Sequence, residues 1–145
     1  MKTNTFITLL ISALCLTITN AQDSQTVKQL NFGFVGASFE IPVHRDISVA
    51  PYAGTNLNLD WLTLGAKGNY YFDNLFELPS EWDVYAGLNA GFAIGIGNDS
   101  GSDDLNVGLH VGGRWFWNDK WGINLELGGG SVTDVTGGLG VTMKL

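Results

Sequence analysis

Residues 121–128 read Trp-Gly-Ile-Asn-Leu-Glu-Leu-Gly, with Trp, Ile and two Leu at the odd positions and Gly, Asn and Glu at the even ones. Successive side chains of a β-strand point to opposite faces, so this stretch predicts a strand with one bulky apolar face and one small or polar face. Residues 105–117 and 82–94 alternate in the same way, and no stretch after residue 21 shows the 3.6-residue spacing of an amphipathic helix. The pattern predicts an all-β protein.

Seven segments carry this alternation, and most are longer than the ~5–6 residues of an average strand. They are Leu30–Val43, Ile47–Leu57, Leu62–Phe72, Trp82–Ile94, Leu105–Trp117, Trp121–Gly128 and Gly137–Leu145. Short polar segments such as Asn118-Asp119-Lys120 separate several of them, and Asn and Asp favour turns. The sequence therefore predicts strands joined as antiparallel hairpins.

Composition restricts the class of protein further. The chain has 145 residues, which supports one domain, and 45% of them are hydrophobic, which excludes disorder. Only 14% are charged, against a typical ~25%. The net charge is −7, so no basic surface is available and we expect no nucleic-acid partner.

Residues 1–21 are predicted to be a secretory signal peptide that is cleaved before Gln22. Lys2 supplies the positive start, an apolar run ends at Leu16, and Ala21 is a small residue suited to cleavage. The apolar run is shorter than the ~20 residues of a membrane-spanning helix. Residues 22–145 then form a single domain without cysteine, since Cys15 lies in the signal.

Alternation alone leaves open whether the bulky face points into a core or into lipid. A soluble surface carries roughly 25–35% charged residues, whereas the polar face of 82–94 offers Asp83 alone. The strands also match the ~9–11 residues that cross a bilayer with tilt. Aromatic residues lie at strand ends, as in the girdles at the two membrane interfaces. The predicted aromatic belt comprises Tyr70, Phe72, Trp82, Trp115, Trp117 and Trp121.

These features favour a closed, antiparallel, up-and-down transmembrane β-barrel. An open sheet edge would leave backbone groups unsatisfied in hydrocarbon, and bacterial single-chain barrels have an even number of strands. We therefore predict eight strands. The eighth comes either from Gln25–Phe34 or from a division of Leu30–Val43 into two. The alternative is a soluble lipocalin-like barrel in the periplasm or outside the cell, with the bulky face inside and a small apolar ligand.

From about Leu30 to Leu145 the chain resembles the small outer-membrane β-barrels of Gram-negative bacteria, similar in size to OmpX and the transmembrane domain of OmpA. The resemblance rests on the alternating strands, the aromatic belt and the terminal strand Gly137–Leu145. It implies a monomer in the outer membrane, in contact with its lipid and with no known protein partner. It also implies a non-enzymatic role in structure or surface interaction, with a narrow porin-like pore as an alternative.

Polar side chains on the small faces are predicted to meet in the lumen, because an eight-stranded barrel is only wide enough for side chains. The predicted network comprises Glu40, Lys67, His110, Arg114, Glu126 and Lys144. Arg114 and Glu126 come close on one hairpin face as direct or diagonal neighbours. We expect this network to fill the lumen. A path for ions or a small-ligand site through Arg114 and His110 is the alternative.

Catalytic and metal motifs are weak. His44 and His110, the only histidines, lack a neighbouring acid and nucleophile in any known arrangement. Asp99, Asp103 and Asp104 miss the spacing and the closing Glu of a calcium loop. We therefore expect no enzyme activity, no cofactor and no metal site.

Loop lengths predict an orientation, because these barrels have short periplasmic turns and longer outer loops. The predicted periplasmic turns are 43–46, 73–81 and 118–120, and the predicted outer loops are 55–60, 97–104 and 131–135. This order places Leu145 in the periplasm.

Overall fold

Eight antiparallel strands close into a barrel in a computed structural model that describes residues 27–55, 59, 61–96, 104–131 and 136–145. The strands are β1 (Gln29–Gly33), β2 (Gly36–His44), β3 (Ile47–Thr55), β4 (Trp61–Tyr71), β5 (Trp82–Gly95), β6 (Asp104–Phe116), β7 (Trp121–Gly130) and β8 (Thr136–Lys144). Each strand pairs with its neighbours along the chain, and β1 pairs with β8. The predicted eight-stranded up-and-down barrel is confirmed. The predicted signal peptide and the acidic loop at 97–103 lie outside the described residues.

The eighth strand arises from a division of the segment 30–43. Phe34 and Val35 form a two-residue turn between Gly33 and Gly36, which face each other across β1 and β2. The inward side chains occupy odd positions before this turn and even positions after it. The alternation therefore changes phase inside a segment that looks continuous in the sequence. The other six predicted strands agree with β3 to β8 within two residues at each end.

The bulky face of the strands points outward. Leu88, Leu109 and Leu125 lie near the middle of this face and are 62%, 66% and 53% exposed. The strand residues with described side chains include no charged group on this face. Their charged residues are Glu40, Lys67, Asp83, Arg114, Glu126 and Lys144, which all occupy inward positions. The polarity is thus the reverse of a soluble barrel, which disfavours the lipocalin-like alternative. No helix in the described ranges is long and apolar enough to cross a membrane.

The two edges of the barrel differ in what they carry. The chain-end edge holds both ends of the barrel, where the Leu145 amide donates to the Lys28 carbonyl at 2.9 Å. It also holds the connections 45–46, 72–81 and 117–120. The loop edge holds the turn 34–35 and the three connections that follow β3, β5 and β7. Apart from the 34–35 turn, which was not predicted, this grouping of connections is the one predicted from the sequence.

Candidate functional site

The lumen is filled in its chain-end half and open in its loop half. The open half is a cavity of about 470 Å³, lined by residues from all eight strands. None of Glu40, Tyr71, Asp83 and Arg114, which we call the plug, is among its lining residues. The side-chain-filled lumen predicted from the sequence is therefore wrong for the loop half. The reason is the small size of the side chains there. Its lining includes Gly33, Gly36, Gly54, Gly128, Gly129 and Gly138.

An ion pair across the lumen forms the centre of the plug. Arg114 Nη2 lies 2.6 Å from Glu40 Oε2, and Arg114 Nη1 lies 3.7 Å from Asp83 Oδ2. The Tyr71 hydroxyl donates to Glu40 Oε1 and accepts from Arg114 Nη1. Arg114 is 2% exposed and Glu40 is 1% exposed. Three strands other than β6 thus hold the single buried guanidinium of the described residues.

The Glu40 carboxylate is surrounded by donors. The Ser48 hydroxyl donates to Oε1, and Asn69 Nδ2 donates to the same oxygen at 3.1 Å. Asn31 Nδ2 lies 3.4 Å from Oε2. A buried carboxylate without such partners would be strongly destabilising, because water no longer solvates its charge. The surrounding amides and hydroxyl therefore allow an ionised glutamate to remain in the lumen.

Aromatic rings pack against the guanidinium of Arg114. Its central carbon lies 4.3 Å from the ring centroid of Tyr85 and 5.6 Å from that of Tyr71, within the range of cation–π attraction. The Tyr85 ring lies directly on the backbone of Gly112, so a Cβ there would overlap it. Glycine at position 112 is what admits the ring. Arg114 Nε is buried without a hydrogen-bond partner.

A second ion pair forms the floor of the cavity. Lys67 Nζ contacts Glu126 Oε1, and the Tyr85 hydroxyl donates to Glu126 Oε2 at 3.0 Å. The Lys67 ammonium also lies 5.3 Å from the ring centroid of Tyr52. His110, which also lines the cavity, has Nε2 2.7 Å from Asn69 Oδ1. Because Asn69 donates to Glu40, these two residues connect the cavity lining to the plug.

The predicted network residues separate into three groups. Arg114 and Glu126 are diagonal neighbours, since Glu126 pairs with Gly112 in the β6–β7 register. The carboxylates that contact Arg114, however, are Glu40 and Asp83, whereas Glu126 contacts Lys67. Lys144 stands apart, with Nζ 3.7 Å from the ring centroid of Phe116. Sequence reasoning missed Tyr71 and Tyr85, although their inward phase on β4 and β5 was a usable signal.

The six residues of the aromatic belt all lie at the chain-end edge. Trp82 and Trp115 pair across β5 and β6, and the rings of Tyr70 and Phe72 are 5.2 Å apart. Trp117 is the first residue of the 117–120 connection, and Trp121 is the first residue of β7. The named rings thus mark one edge of the apolar band rather than both.

The connection 72–81 places one carboxyl in an unusual environment. Burial raises the pKa of Asp73 from 3.8 to about 6, although its hydrogen bond from the Val84 amide, at 2.7 Å, opposes this shift. The nearby Asp83 raises the pKa further. In the described part of the chain, no group of three His, Asp or Glu side chains could hold a metal ion.

The fold has known counterparts. No protein-family model and no curated protein matches the sequence. The N-terminal β-barrel domain of Pseudomonas aeruginosa OprF is similar in structure, with a TM-score of 0.58 at 17% identity over 81% of this chain and 93% of that one. A de novo designed transmembrane β-barrel is similar with a TM-score of 0.60 at 14% identity, over 86% and 98% of the two chains. This chain shares the β-barrel fold of these two structures.

Proposed function

We propose that the chain is an integral outer-membrane β-barrel protein, non-enzymatic, with a role in structure or surface interaction. One observation carries this proposal: an apolar, uncharged outward face surrounds a charged, hydrogen-bonded lumen. Soluble monomers rarely expose continuous apolar patches larger than a few hundred Å². In a bilayer the same face is solvated by lipid. Closure of the barrel gives the backbone N–H and C=O groups of every strand hydrogen-bond partners on the neighbouring strands.

Strand lengths and the aromatic belt support this location. Strands β2 to β8 have 9 to 14 residues, whereas β1 has 5, so seven of the eight strands reach the ~9–11 residues required to cross a bilayer. Trp82, Trp115, Trp117 and Trp121 end the apolar band at the chain-end edge. Indole rings favour the interface between lipid and water. The belt therefore fixes the depth of that edge in the membrane.

The plug makes a conducting pore an unfavourable alternative. Glu40, Tyr71 and Arg114 are each no more than 3% exposed, and they contact one another across the lumen. Ions would have to separate a buried ion pair to pass. In planar bilayers we expect the folded protein to give no conductance steps.

The membrane location is tested by fractionation of cells that express the full chain. We expect the protein in the outer-membrane fraction, soluble only in detergent, monomeric, and with an unboiled gel band that shifts on heating. The result that would contradict the proposal is a monodisperse protein in the periplasmic fraction that needs no detergent.

We further propose that the chain-end edge faces the periplasm. Short periplasmic turns are typical of these barrels, and the connections 45–46 and 117–120 are short. Residues 22–145 contain no cysteine, so single cysteines can report the orientation. A membrane-impermeant maleimide should label Leu59→Cys in intact cells and Asp119→Cys only after lysis, with the parent chain as control. The opposite labelling pattern would show that the chain-end edge faces outward and would contradict the proposed orientation.

A further inference from the structure

The open half of the lumen has the form of a binding site. We call this cavity the cup. Its volume of about 470 Å³ falls within the ~300–1,000 Å³ of small-molecule sites. The plug closes it at one end, and its lining reaches the loop edge through Val35, Thr55 and Trp61. Among the described residues, the cup therefore extends to the loop edge and is closed toward the chain-end edge.

We propose that the cup binds a small, neutral, polyhydroxylated molecule of the size of a mono- or disaccharide. The charges of the lining favour a neutral ligand. The lining holds one basic side chain, Lys67, and one acidic side chain, Glu126, besides the imidazole of His110, and Lys67 and Glu126 contact each other. An anion or a cation would have to compete with this internal ion pair, whereas a neutral ligand leaves it intact.

The polar groups of the lining suit hydroxyl groups. The lining contains the amides of Asn89, Asn106 and Asn124 and the hydroxyls of Ser38 and Thr63. Each amide offers two donors and an acceptor, and a sugar hydroxyl both donates and accepts, so the two types of group match. A wholly apolar ligand would desolvate these polar groups without replacing their hydrogen bonds.

Aromatic rings complete the match. Tyr52, Trp61 and Tyr85 line the cup together with the amides. A pyranose ring has an apolar C–H face as well as hydroxyls at its edge. Aromatic faces can pack against the C–H face of the sugar while amides bind its hydroxyls. This combination distinguishes a saccharide from a free amino acid, which would place two charges beside Lys67 and Glu126.

Two glycines provide a matched pair of variants. A Cβ at Gly138 or at Gly68 would meet no heavy atom within 4 Å, so a side chain can be added at either position. Gly138 lines the cup, whereas Gly68 is exposed on the outward face. Gly138→Trp should fill the cup, and Gly68→Trp should add the same side chain outside it. Asn89→Leu removes a lining amide at similar volume.

The test uses the full-length protein folded in dimethylamine-oxide detergent, because detergents with sugar headgroups would compete. Glucose, sucrose, glycine and acetate are titrated by calorimetry, and the heat-shifted gel band verifies folding of each variant. We expect glucose or sucrose to bind and glycine and acetate not to. Gly138→Trp should weaken saccharide binding at least tenfold and Asn89→Leu at least threefold, with Gly68→Trp within twofold of the parent.

Three results would overturn the proposal: no heat with either saccharide, tighter binding of glycine or acetate, or equal affinities for Gly138→Trp and Gly68→Trp. If Gly138→Trp does not fold, unchanged affinity in Asn89→Leu has the same consequence. None of these results depends on the membrane location.

Discussion

Replacement of Arg114 by methionine should destabilise the barrel by about 3 kcal/mol. Removal of one partner of a buried ion pair costs ~3–5 kcal/mol, because the other charge stays buried without compensation. Here the remaining charges are Glu40, which is 1% exposed and loses a guanidinium nitrogen at 2.6 Å, and Asp83, which loses one at 3.7 Å. Its hydrogen bonds from Ser48 and Asn69 persist and place the expected cost at the lower end of that range. Methionine fills most of the vacated space, so the cavity contribution is small.

The assay is equilibrium unfolding by guanidinium chloride in lipid vesicles, followed by tryptophan fluorescence and by the heat-shifted gel band. Arg45→Met is the matched control. Arg45 is the other arginine of the described residues; its side chain is 57% exposed, and Nε lies 3.7 Å from Asp46 Oδ1. An exposed pair of this kind contributes ~0–1 kcal/mol. The double variant Arg114→Met/Glu40→Gln should recover much of the loss, since it removes the closer and more buried of the two carboxylates left unpaired.

Two results would refute this reasoning. Equal costs for Arg114→Met and Arg45→Met would show that the plug does not depend on its ion pair. A double variant no more stable than Arg114→Met would show that the unpaired carboxylate is not the source of the cost.

Three further predictions concern the connection, the lumen and the outward face. Because burial raises the pKa of Asp73 to about 6, its contribution to stability is present below pH ~4 and is lost as the pH rises through ~6. Asp73 is partly exposed, so the free energy of unfolding of the parent chain should fall by only ~1 kcal/mol between about pH 4 and 7. In Asp73→Asn this fall should be absent, as measured by unfolding midpoints over the same pH range. Gly112→Ala should cost ~1–3 kcal/mol by unfolding, since its Cβ overlaps a packed ring. Gly113→Ala, whose Cβ lies 3.7 Å from the nearest atom, should stay within ~0.5 kcal/mol. Leu109→Arg should cost ~2–4 kcal/mol in vesicles, and the equally exposed Leu75→Arg, in the 72–81 connection, less than ~0.5 kcal/mol. Equal effects within either pair would contradict the assigned positions.

The strands could be predicted because alternation is a local property of the chain. Residues 121–128 reveal which side chains share a face without any knowledge of the neighbouring strands. The turn at Phe34 and Val35 was harder to place, since the inward phase changes there while the residues remain apolar. Periodicity alone did not separate β1 from β2. The eighth strand was predicted instead from the even number of strands in bacterial single-chain barrels.

The partners of Arg114 could not be predicted in the same way. A hairpin register identifies neighbours on adjacent strands, and Glu126 is indeed diagonal to Arg114. Glu40, however, lies on β2 and reaches Arg114 on β6 across the lumen. Such a contact depends on the tilt of the strands and on how the barrel closes. These quantities come from the whole sheet rather than from any one segment.

The size of the inward side chains decides where the lumen is open. Near the chain-end edge the inward positions hold long or aromatic side chains such as Tyr71, Arg114 and Phe116, which are at most 3% exposed. Near the loop edge many are glycines, including Gly54 and Gly138, which line the cup. An eight-stranded interior is just wide enough to be filled by side chains, so glycine on several adjacent strands necessarily leaves space. Once the register aligns these glycines at the loop edge, the sequence specifies a plug in the chain-end half and a cup in the loop half of the same barrel.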